Sequence, residues 1–293
     1  MRRNWPTGVV DTHVHSSPDV IPRLMSDSEV ARAVDEAGYR AVVLKSHHTV
    51  TAARATMAEE HTAEARVFGG VVLNYHATGG INALAVETAL KLGARTVWLP
   101  TITSSNQIQF GKKAGIKSQG LKALGTIEGA GIDVLDHQGR ITEELAKVLD
   151  AIAESDAALA TGHISAAEIM VVAPEARRRG VRNVIVTHPE LGCVGMSLED
   201  QLALAELDGI YFERVYGVTM PTSDHLPIEV LAQAVKTVGV ESTIMATDFG
   251  QAHNPSPVVG LERYIEDMRG QGFDQDQIEA MTCVNPAAAL SLD

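Results

Sequence analysis

The strongest constraint on the fold is an alternation, repeated eight times, of a short β-branched run with a longer stretch rich in Ala, Leu and Glu. Strands that alternate with helices of ten or more residues predict a parallel sheet with right-handed crossovers. Eight such units in 293 residues are typical of a closed (β/α)8 TIM barrel, here one α/β domain over residues 1–293. The predicted strands are Val9–His15, Ala41–Lys45, Val67–Asn74, Thr96–Thr101, Ala157–His163, Asn183–His188, Ile210–Tyr216 and Ser242–Asp248.

Local signals agree with the predicted helices between these strands. The sequence Ser-Asp-Ser-Glu at 26–29 is typical of a capped helix start, and Gly38, Gly93 and Gly180 stand where helices should end. The predicted helices are Asp27–Ala37, Thr51–Glu64, Ile81–Leu92, Glu143–Glu154, Ala166–Arg179, Leu198–Leu207, Pro227–Val238 and Leu261–Gly270.

Residues 102–140 form a segment too long for an ordinary loop and predict an insertion after the fourth strand. Within it, Ile132–Leu135 and Arg140–Thr142 predict a small hairpin. A loop of this length in a compact domain is typical of a lid or a binding loop, and a solvated surface insertion is the alternative. Glu128, inside this segment, is predicted to be a solvated carboxylate.

Charge and composition narrow the function classes. With 37 Asp+Glu against 24 Lys+Arg, the formal net charge is −13, and an acidic surface repels phosphate backbones and anionic lipid heads. We therefore expect a small-molecule substrate, and neither nucleic acid nor a membrane as partner. Cys193 and Cys283 cannot form a disulfide scaffold, and no apolar run reaches the roughly 20 residues of a membrane helix, so we expect a cytoplasmic protein.

Histidines and an aspartate close several predicted strands. A chain with 11 histidines in 293 residues contains H-x-H by chance about 0.4 times, so the motif alone is weak. Here His13 and His15 end the first strand, where residues i and i+2 face the same side. His163, His188 and Asp248 end three further strands, and all these ends lie on the face where barrels build active sites. The set predicts a divalent metal site, whereas any one histidine alone could be a hydrogen-bonded core residue.

Other polar side chains fall at the same mouth. Lys45 ends the second strand, where a desolvated lysine could be a nucleophile, a cation for the substrate or, after reaction with CO₂, a carbamate bridging two metals. A lysine that reaches solvent or pairs with an acid is the alternative. Glu213 could contact substrate, or it could pair with Arg214 or another cation. The candidate substrate contacts are His47, Asn74, Thr101 and Glu213.

This order of residues resembles the amidohydrolase superfamily of metal-dependent hydrolases. His13 and His15 after strand one, His163 after strand five, His188 after strand six and Asp248 after strand eight match that family's metal-site order. The stretch NPAAAL at 285–290 is similar to one near the family's C terminus, so the resemblance covers essentially the whole chain.

The resemblance, to an uncharacterised branch of the superfamily, implies a reaction class but no substrate. We expect one or two divalent ions, Zn²⁺ before Mn²⁺ or Fe²⁺, and hydrolysis of an amide, lactam, lactone or related C–N or C–O bond by metal-activated water. Asp248 would act as general base and then as general acid. Barrels of this type often associate, which predicts a homo-oligomer.

One segment departs from the family pattern. Binuclear members often supply a carbamylated lysine or a glutamate from strand four, whereas this chain has Val-Trp-Leu-Pro-Thr at 97–101. Lys45, on strand two, is the candidate substitute, as a metal ligand and catalytic group. Otherwise the site holds a single ion, so the number of metals stays open.

Three further functions also stay open. The stretches at 13–19 and 248–253 are similar to the metal motifs of polymerase-and-histidinol-phosphatase barrels, which cleave phosphate esters but usually have seven strands. A metal-dependent decarboxylase is the second, since a metal-held carboxylate can lose CO₂ without attack by water. A non-catalytic small-ligand binder is the third, and the missing strand-four ligand is its best support.

Overall fold

The computed structural model describes residues 5–115 and 131–292. Nine strand segments fill the eight predicted positions, because the third predicted strand is present as two short pieces. Every pair of hydrogen-bonded neighbours among them is parallel. The strands are β1 Val10–His15, β2 Ala41–Lys45, β3 Arg66–Phe68, β4 Gly70–Val72, β5 Thr96–Trp98, β6 Ala158–Ala160, β7 Val184–Thr187, β8 Ile210–Val215 and β9 Thr243–Ala246.

The third strand is interrupted at Gly69 by the loop that follows β2. The backbone N–H of Thr51 donates to the Gly70 carbonyl (2.9 Å), and the Thr51 hydroxyl accepts from the Gly70 N–H (2.8 Å). A Cβ at Gly69 would lie 2.3 Å from the Thr51 carbonyl oxygen, so this close approach requires glycine. Thr51 therefore takes the hydrogen bonds that a neighbouring strand would otherwise make.

The strands close into a barrel because the chain after β9 pairs with β1. The sheet order is β1-β2-β3 in one ladder and β4 to β9 in sequence in the other. The backbone N–H of Asp248 donates to the His13 carbonyl (2.9 Å), and that of His15 donates to the Phe249 carbonyl (2.7 Å). The predicted (β/α)8 barrel is confirmed.

The predicted helices are confirmed, with two notable shifts at their ends. The second ends at Glu59 rather than Glu64, because the Asp35 carboxylate accepts hydrogen bonds from the backbone N–H groups of residues 63–65. The last predicted helix begins at Pro257, after the Ser256 cap, rather than at Leu261. No helix in the described ranges is both long and apolar enough to cross a bilayer. The helices are Asp27–Glu36, Ala52–Glu59, Tyr75–Thr78, Ala83–Lys91, Ser105–Ala114, Glu143–Ala153, Ala166–Arg178, Leu198–Ala205, Ile228–Val238, Pro257–Gly270, Gln275–Glu279 and Asn285–Ala289.

Apolar side chains fill the barrel, and the C-terminal segment closes its lower end. Val10, Trp98 and Ile185 belong to one buried interior cluster that also contains Ala287 and Leu290. The Asn285 side-chain amide donates to the carbonyls of residues 240 and 243, at the start of β9. The NPAAAL stretch is thus a plug at the amino ends of the strands, and the carboxyl ends remain as the open mouth.

The predicted insertion carries structure of its own. The helix Ser105–Ala114 begins at the Ser104 cap, and Leu135 pairs with Ile141 in an antiparallel bridge, which confirms the small hairpin. Residues 116–130 of the predicted insertion, including Glu128, lie outside the described residues.

A buried carboxylate fastens the last strand to the first. Asp11 is fully buried, and its Oδ1 accepts from the backbone N–H groups of Thr247 (3.1 Å) and His13 (3.2 Å). Its Oδ2 accepts from the Thr247 hydroxyl (2.6 Å). Asp11 therefore holds together the two chain segments that carry His13 and Asp248.

Removing this carboxylate should destabilise the barrel. We expect D11A to lower the free energy of unfolding by about 2–4 kcal/mol, because two N–H groups and a hydroxyl lose a buried acceptor. D11N keeps an acceptor for the N–H groups and should cost much less. Urea unfolding of the wild type and both variants, without metal at pH 8, measures the difference. At this pH Asp11 is ionised in the wild type, because burial raises its pKa only to about 6. Equal losses in the two variants would contradict the role assigned to these hydrogen bonds.

Candidate metal centre

Five imidazole rings form a closed circle at the mouth of the barrel. Their centroids are separated by 5.4 Å (His13 to His15), 5.0 Å (His15 to His47), 5.8 Å (His47 to His163), 4.9 Å (His163 to His188) and 6.1 Å (His188 to His13). We call these residues the five-histidine cluster. It brings together the four predicted metal-binding histidines and adds His47, which the sequence indicates only as a substrate contact.

Three ligand atoms lie at one side of this cluster with the spacing of a metal site. The Nε2 atoms of His13 and His15 are each 3.1 Å from Asp248 Oδ1. One ligand atom from each of the three residues lies within 4.8 Å of the other two. A tetrahedral ion with bonds of about 2.0–2.1 Å keeps its ligand atoms roughly 3.3 Å apart, so the spacing suits one divalent ion.

The hydrogen bonds of His13 require a proton or a metal ion between its Nε2 atom and the Asp248 carboxylate. Its Nδ1 lies 2.8 Å from the Glu213 carboxylate, which can only accept, so Nδ1 carries the proton. In a neutral ring, Nε2 then offers a lone pair that faces the carboxylate oxygen of Asp248. Two acceptors at 3.1 Å repel each other unless a proton or a metal ion lies between them. The donor set therefore fits a divalent metal, with Glu213 orienting its first ligand.

Most of the cluster is electrically neutral. Burial lowers the pKa of His15 and that of His188 to about 3. Burial also holds the pKa of His47 and that of His163 well below the usual range, and neighbouring cationic or imidazole groups add to it. Neutral imidazoles keep the lone pairs that a metal ion requires.

His13 and Asp248 form the exception, where opposite charge outweighs burial. Burial opposes protonation of His13, but the carboxylates of Asp248 and Glu213 raise its pKa to about 9. Burial alone would raise the pKa of Asp248, but His13 and His15 hold it well below the usual range. The site thus attracts a positive charge at one point among neutral rings.

Backbone turns aim two of the predicted ligands at the cluster. His188 and Asp248 have positive φ angles of 32° and 55°, which non-glycine residues seldom adopt. Such conformations concentrate at functional sites, where the surrounding structure holds them. Two residues later, Gly250 has a φ of 132°, and a Cβ there would lie 1.8 Å from the His15 carbonyl oxygen. Glycine lets this loop pass against β1 and bring Asp248 to the histidines.

Lys45 lies inside the mouth rather than reaching solvent. Its side chain is fully buried, with Nζ 2.9 Å from His13 Nε2 and 5.4 Å from the centroid of the Trp98 ring. Burial lowers its pKa to about 8, although Asp248 and Glu213 oppose this. The alternative of a solvent-reaching lysine is wrong, and its roles as nucleophile, substrate cation or carbamate stay predictions.

Two of the remaining ligand candidates differ in how they are held. His163 Nδ1 bonds Gln107 Oε1 (3.0 Å), which leaves Nε2 for a ligand. His188 Nδ1 is buried and has no hydrogen-bond partner among the described residues. Gln107 lies on the helix Ser105–Ala114 of the insertion. Sequence reasoning missed it, because a single glutamine in a predicted loop does not indicate which distant residue it contacts.

The predicted substrate contacts lie at the mouth, but most of their polar atoms bond within the protein. Glu213 accepts from Thr12 Oγ1 (2.5 Å) and from His13. The alternative pairing with Arg214 is wrong, because Arg214 bonds Glu190 and Gln201 instead. The remaining three form one network, in which Thr101 Oγ1 bonds both His47 Nδ1 (2.8 Å) and Asn74 Nδ2 (2.7 Å).

Metal binding should depend on the three-donor site. We expect H13A and H15A to reduce bound zinc, measured by elemental analysis after equilibration with a limiting chelator, by at least about tenfold. H253A is the matched control, because His253 bonds Thr222 Oγ1 outside the cluster. Zinc retained in both cluster variants, or lost equally in H253A, would refute the site.

Glu213 should tune that site without being a ligand. We expect E213Q to weaken zinc affinity by about 10- to 100-fold, because an amide can donate to His13 Nδ1 and move the ring proton to the metal-binding nitrogen. Titration against a fluorescent zinc chelator, with the melting temperature measured in parallel, tests this. An unchanged affinity would mean that Glu213 does not orient His13.

Comparisons with known proteins agree with this fold and leave the reaction open. A family model described as a family of unknown function (DUF6282) matches residues 8–213. No curated protein matches the sequence.

Solved structures of similar fold cover nearly the whole chain. A dihydroorotase shares 16% identity at a TM-score of 0.58, covering 98% of this chain and 70% of its own. An amidohydrolase from Pseudomonas aeruginosa shares 12% at 0.59, covering 97% and 95%. A 2,6-dihydroxybenzoate decarboxylase from Rhizobium shares 10% at 0.57, covering 98% and 100%. The resemblance to the amidohydrolase superfamily is confirmed at the level of the fold.

Proposed function

The chain belongs to the DUF6282 family of unknown function, and we propose that it is a metal-dependent hydrolase of a small molecule, cleaving an amide, lactam, lactone or related C–N or C–O bond. The observation that carries this proposal is the contact of two imidazole nitrogens with one carboxylate oxygen, at 3.1 Å each, on the active face of a (β/α)8 barrel. Such an arrangement of acceptors is stable when a metal ion, or a proton on His13, lies between them.

The residues would divide the work between holding an ion and moving a proton. A divalent ion, Zn²⁺ before Mn²⁺ or Fe²⁺, held by His13, His15 and Asp248 would supply an acidified water at neutral pH. The Asp248 side chain is 23% exposed, whereas both histidines are buried, so it is the donor that a substrate can reach. Its Oδ1 faces the imidazoles, which leaves Oδ2 to take a proton from the attacking water and to return it to the leaving group.

His163 and His188 lie beside this site and extend it. Their rings are 4.9 Å apart, and each retains a nitrogen without a partner among the described residues. They would complete the coordination of the first ion or hold a second one. Metal analysis at saturation gives the number of ions directly, as one or two per chain.

A second candidate reaction, decarboxylation, is favoured by a buried cation. Lys45 Nζ lies 2.9 Å from the metal-site atom His13 Nε2, where it could hold a substrate carboxylate against the metal. One protein of similar fold is a 2,6-dihydroxybenzoate decarboxylase. The product separates the two reactions, since hydrolysis incorporates solvent oxygen and decarboxylation releases CO₂.

Phosphate-ester cleavage and ligand binding without turnover have less support. The phosphoesterase interpretation relies on the stretch 248–253, but His253 is bonded to Thr222 away from the five-histidine cluster. It also relies on a barrel type that usually has seven strands, whereas eight positions are filled here. A non-catalytic binder would carry no divalent ion and would gain no activity when zinc or manganese is added.

An activity panel on metal-loaded protein tests the proposal. We expect turnover of at least one amide, lactam or lactone, its loss after dialysis against EDTA and its return on adding Zn²⁺ or Mn²⁺. D248N should lower kcat by about 10²- to 10⁴-fold while metal remains on the histidines, because the proton acceptor is lost. H188A should lower both metal content and turnover, and H253A neither.

Three results would contradict the hydrolase proposal. They are activity on p-nitrophenyl phosphate alone, release of CO₂ from aromatic acids without hydrolysis in the panel, and full activity of D248N.

A further inference from the structure

The orientation of the Asn74 amide is fixed by backbone groups. Its Oδ1 accepts from the backbone N–H groups of Thr101 (2.9 Å) and Thr103 (3.3 Å), and its Nδ2 donates to the His47 carbonyl (2.9 Å). Backbone N–H groups only donate and carbonyls only accept, so the amide cannot be reversed. Asn74 Nδ2 therefore donates its second hydrogen to Thr101 Oγ1 (2.7 Å).

This donor determines the direction of the next hydrogen bond. Thr101 is fully buried, and its hydroxyl oxygen has two polar neighbours among the described residues, Asn74 Nδ2 and His47 Nδ1. Because Asn74 donates, the hydroxyl proton has His47 Nδ1 as its acceptor at 2.8 Å. If His47 Nδ1 carried a proton instead, the buried hydroxyl would lose its acceptor, which is unfavourable. A neutral His47 therefore carries its proton on Nε2.

We propose that His47 presents an N–H donor at Nε2 to the five-histidine cluster, and that it binds a carboxylate oxygen of the substrate rather than a metal ion. This inference rests on the proposed hydrolase function and narrows its substrate to small molecules that carry a carboxylate. His47 Nε2 has no partner among the described residues, and the residue is only partly buried, so a ligand can reach it.

The contrast with His13 makes the assignment specific. A carboxylate accepts the Nδ1 proton of His13 and leaves a lone pair at Nε2, which suits a metal. A hydroxyl donates to Nδ1 of His47 and leaves a proton at Nε2, which repels a metal and attracts an anion. Two members of one cluster thus have opposite functions because their outer partners differ.

Cations near His47 favour an anionic ligand. Lys45 lies two residues away in the chain and within the mouth, and its charge opposes protonation of His47, as does that of Arg23. The Arg23 side chain is held by two hydrogen bonds to Asp19 Oδ2, and Asp19 Oδ1 accepts from His48. Lys45 and the N–H donor of His47 would together attract a carboxylate, while the charge of Arg23 is balanced by Asp19.

The ring proton can be located without any substrate. In metal-free protein labelled with ¹⁵N-histidine, long-range ¹H–¹⁵N spectra, assigned with H47A, should show His47 protonated at Nε2 in the wild type and in T101S. T101V removes the hydroxyl donor and should shift the tautomer ratio towards Nδ1–H by about tenfold. A proton on Nδ1 in the wild type, or a ratio unchanged in T101V, overturns the proposal.

The ligand role is tested with zinc and acetate as probes. Zinc should shift the His13 and His15 signals and leave the Nε2 proton of His47 in place. Acetate added to the zinc-loaded protein should shift the signal of that proton. H47A should bind acetate at least about fivefold more weakly, with unchanged zinc content. H47Q retains an N–H donor and should lose less acetate affinity.

The outcomes separate this proposal from the hydrolase proposal. Zinc bound to His47, no response of the His47 proton to acetate, or equal acetate affinity in H47A and wild type overturns the donor role. Failure of the wild type to bind zinc refutes the hydrolase instead, and the tautomer measurement on metal-free protein still decides the direction of the His47 hydrogen bond.

Discussion

The closure of the last strand on the first is the interaction on which the site depends. His13 and His15 end β1, and Asp248 follows β9, so the three donors meet only if the two chain segments are joined. Asp11 makes this junction through Thr247, and backbone bonds from Asp248 and His15 complete it. Burial of the Asp11 carboxylate costs free energy, which is why its pKa is raised. Asp11 lies two residues before His13 on β1. This position next to the candidate metal donors explains why the barrel would retain it.

The second organising principle is that the outer neighbour of each imidazole decides what the inner nitrogen can do. Burial alone would make every ring of the cluster neutral, and it would leave each ring free to adopt either tautomer. Glu213 removes that freedom at His13 and Thr101 removes it at His47, in opposite directions. All polar atoms of the Asn74 side chain are hydrogen-bonded within the protein, so none is available to a ligand. Through its bond to Thr101, Asn74 nevertheless determines the tautomer of His47. Hydrogen bonds made within such a network restrict both the position and the tautomer of the rings.

The sequence predicts the features that depend on local pattern. Alternating runs, helix caps and terminal glycines are encoded within a few residues, so strands and helices can be placed with small errors at their ends. The candidate metal donors can be named because they end strands of a barrel whose carboxyl ends share one face. The break at Gly69, the contact of Gln107 with His163 and the entry of His47 into the cluster depend on residues distant in the chain. No periodicity reports such contacts, so they required the structure.

The fourth barrel position departs from the binuclear pattern that the sequence otherwise resembles. There, residues 96–101 contain no lysine or glutamate; they supply Trp98, on whose ring Lys45 lies, and Thr101, which holds His47. Both supported residues come from the end of β2. In the functions proposed above, Lys45 and His47, at and after the end of β2, supply the charge and hydrogen bonding that binuclear members take from strand four. Strand four supports these two side chains instead. A lysine at position 101 would therefore not restore the usual pattern, because it would remove the hydroxyl that fixes His47 and place a second cation beside Lys45.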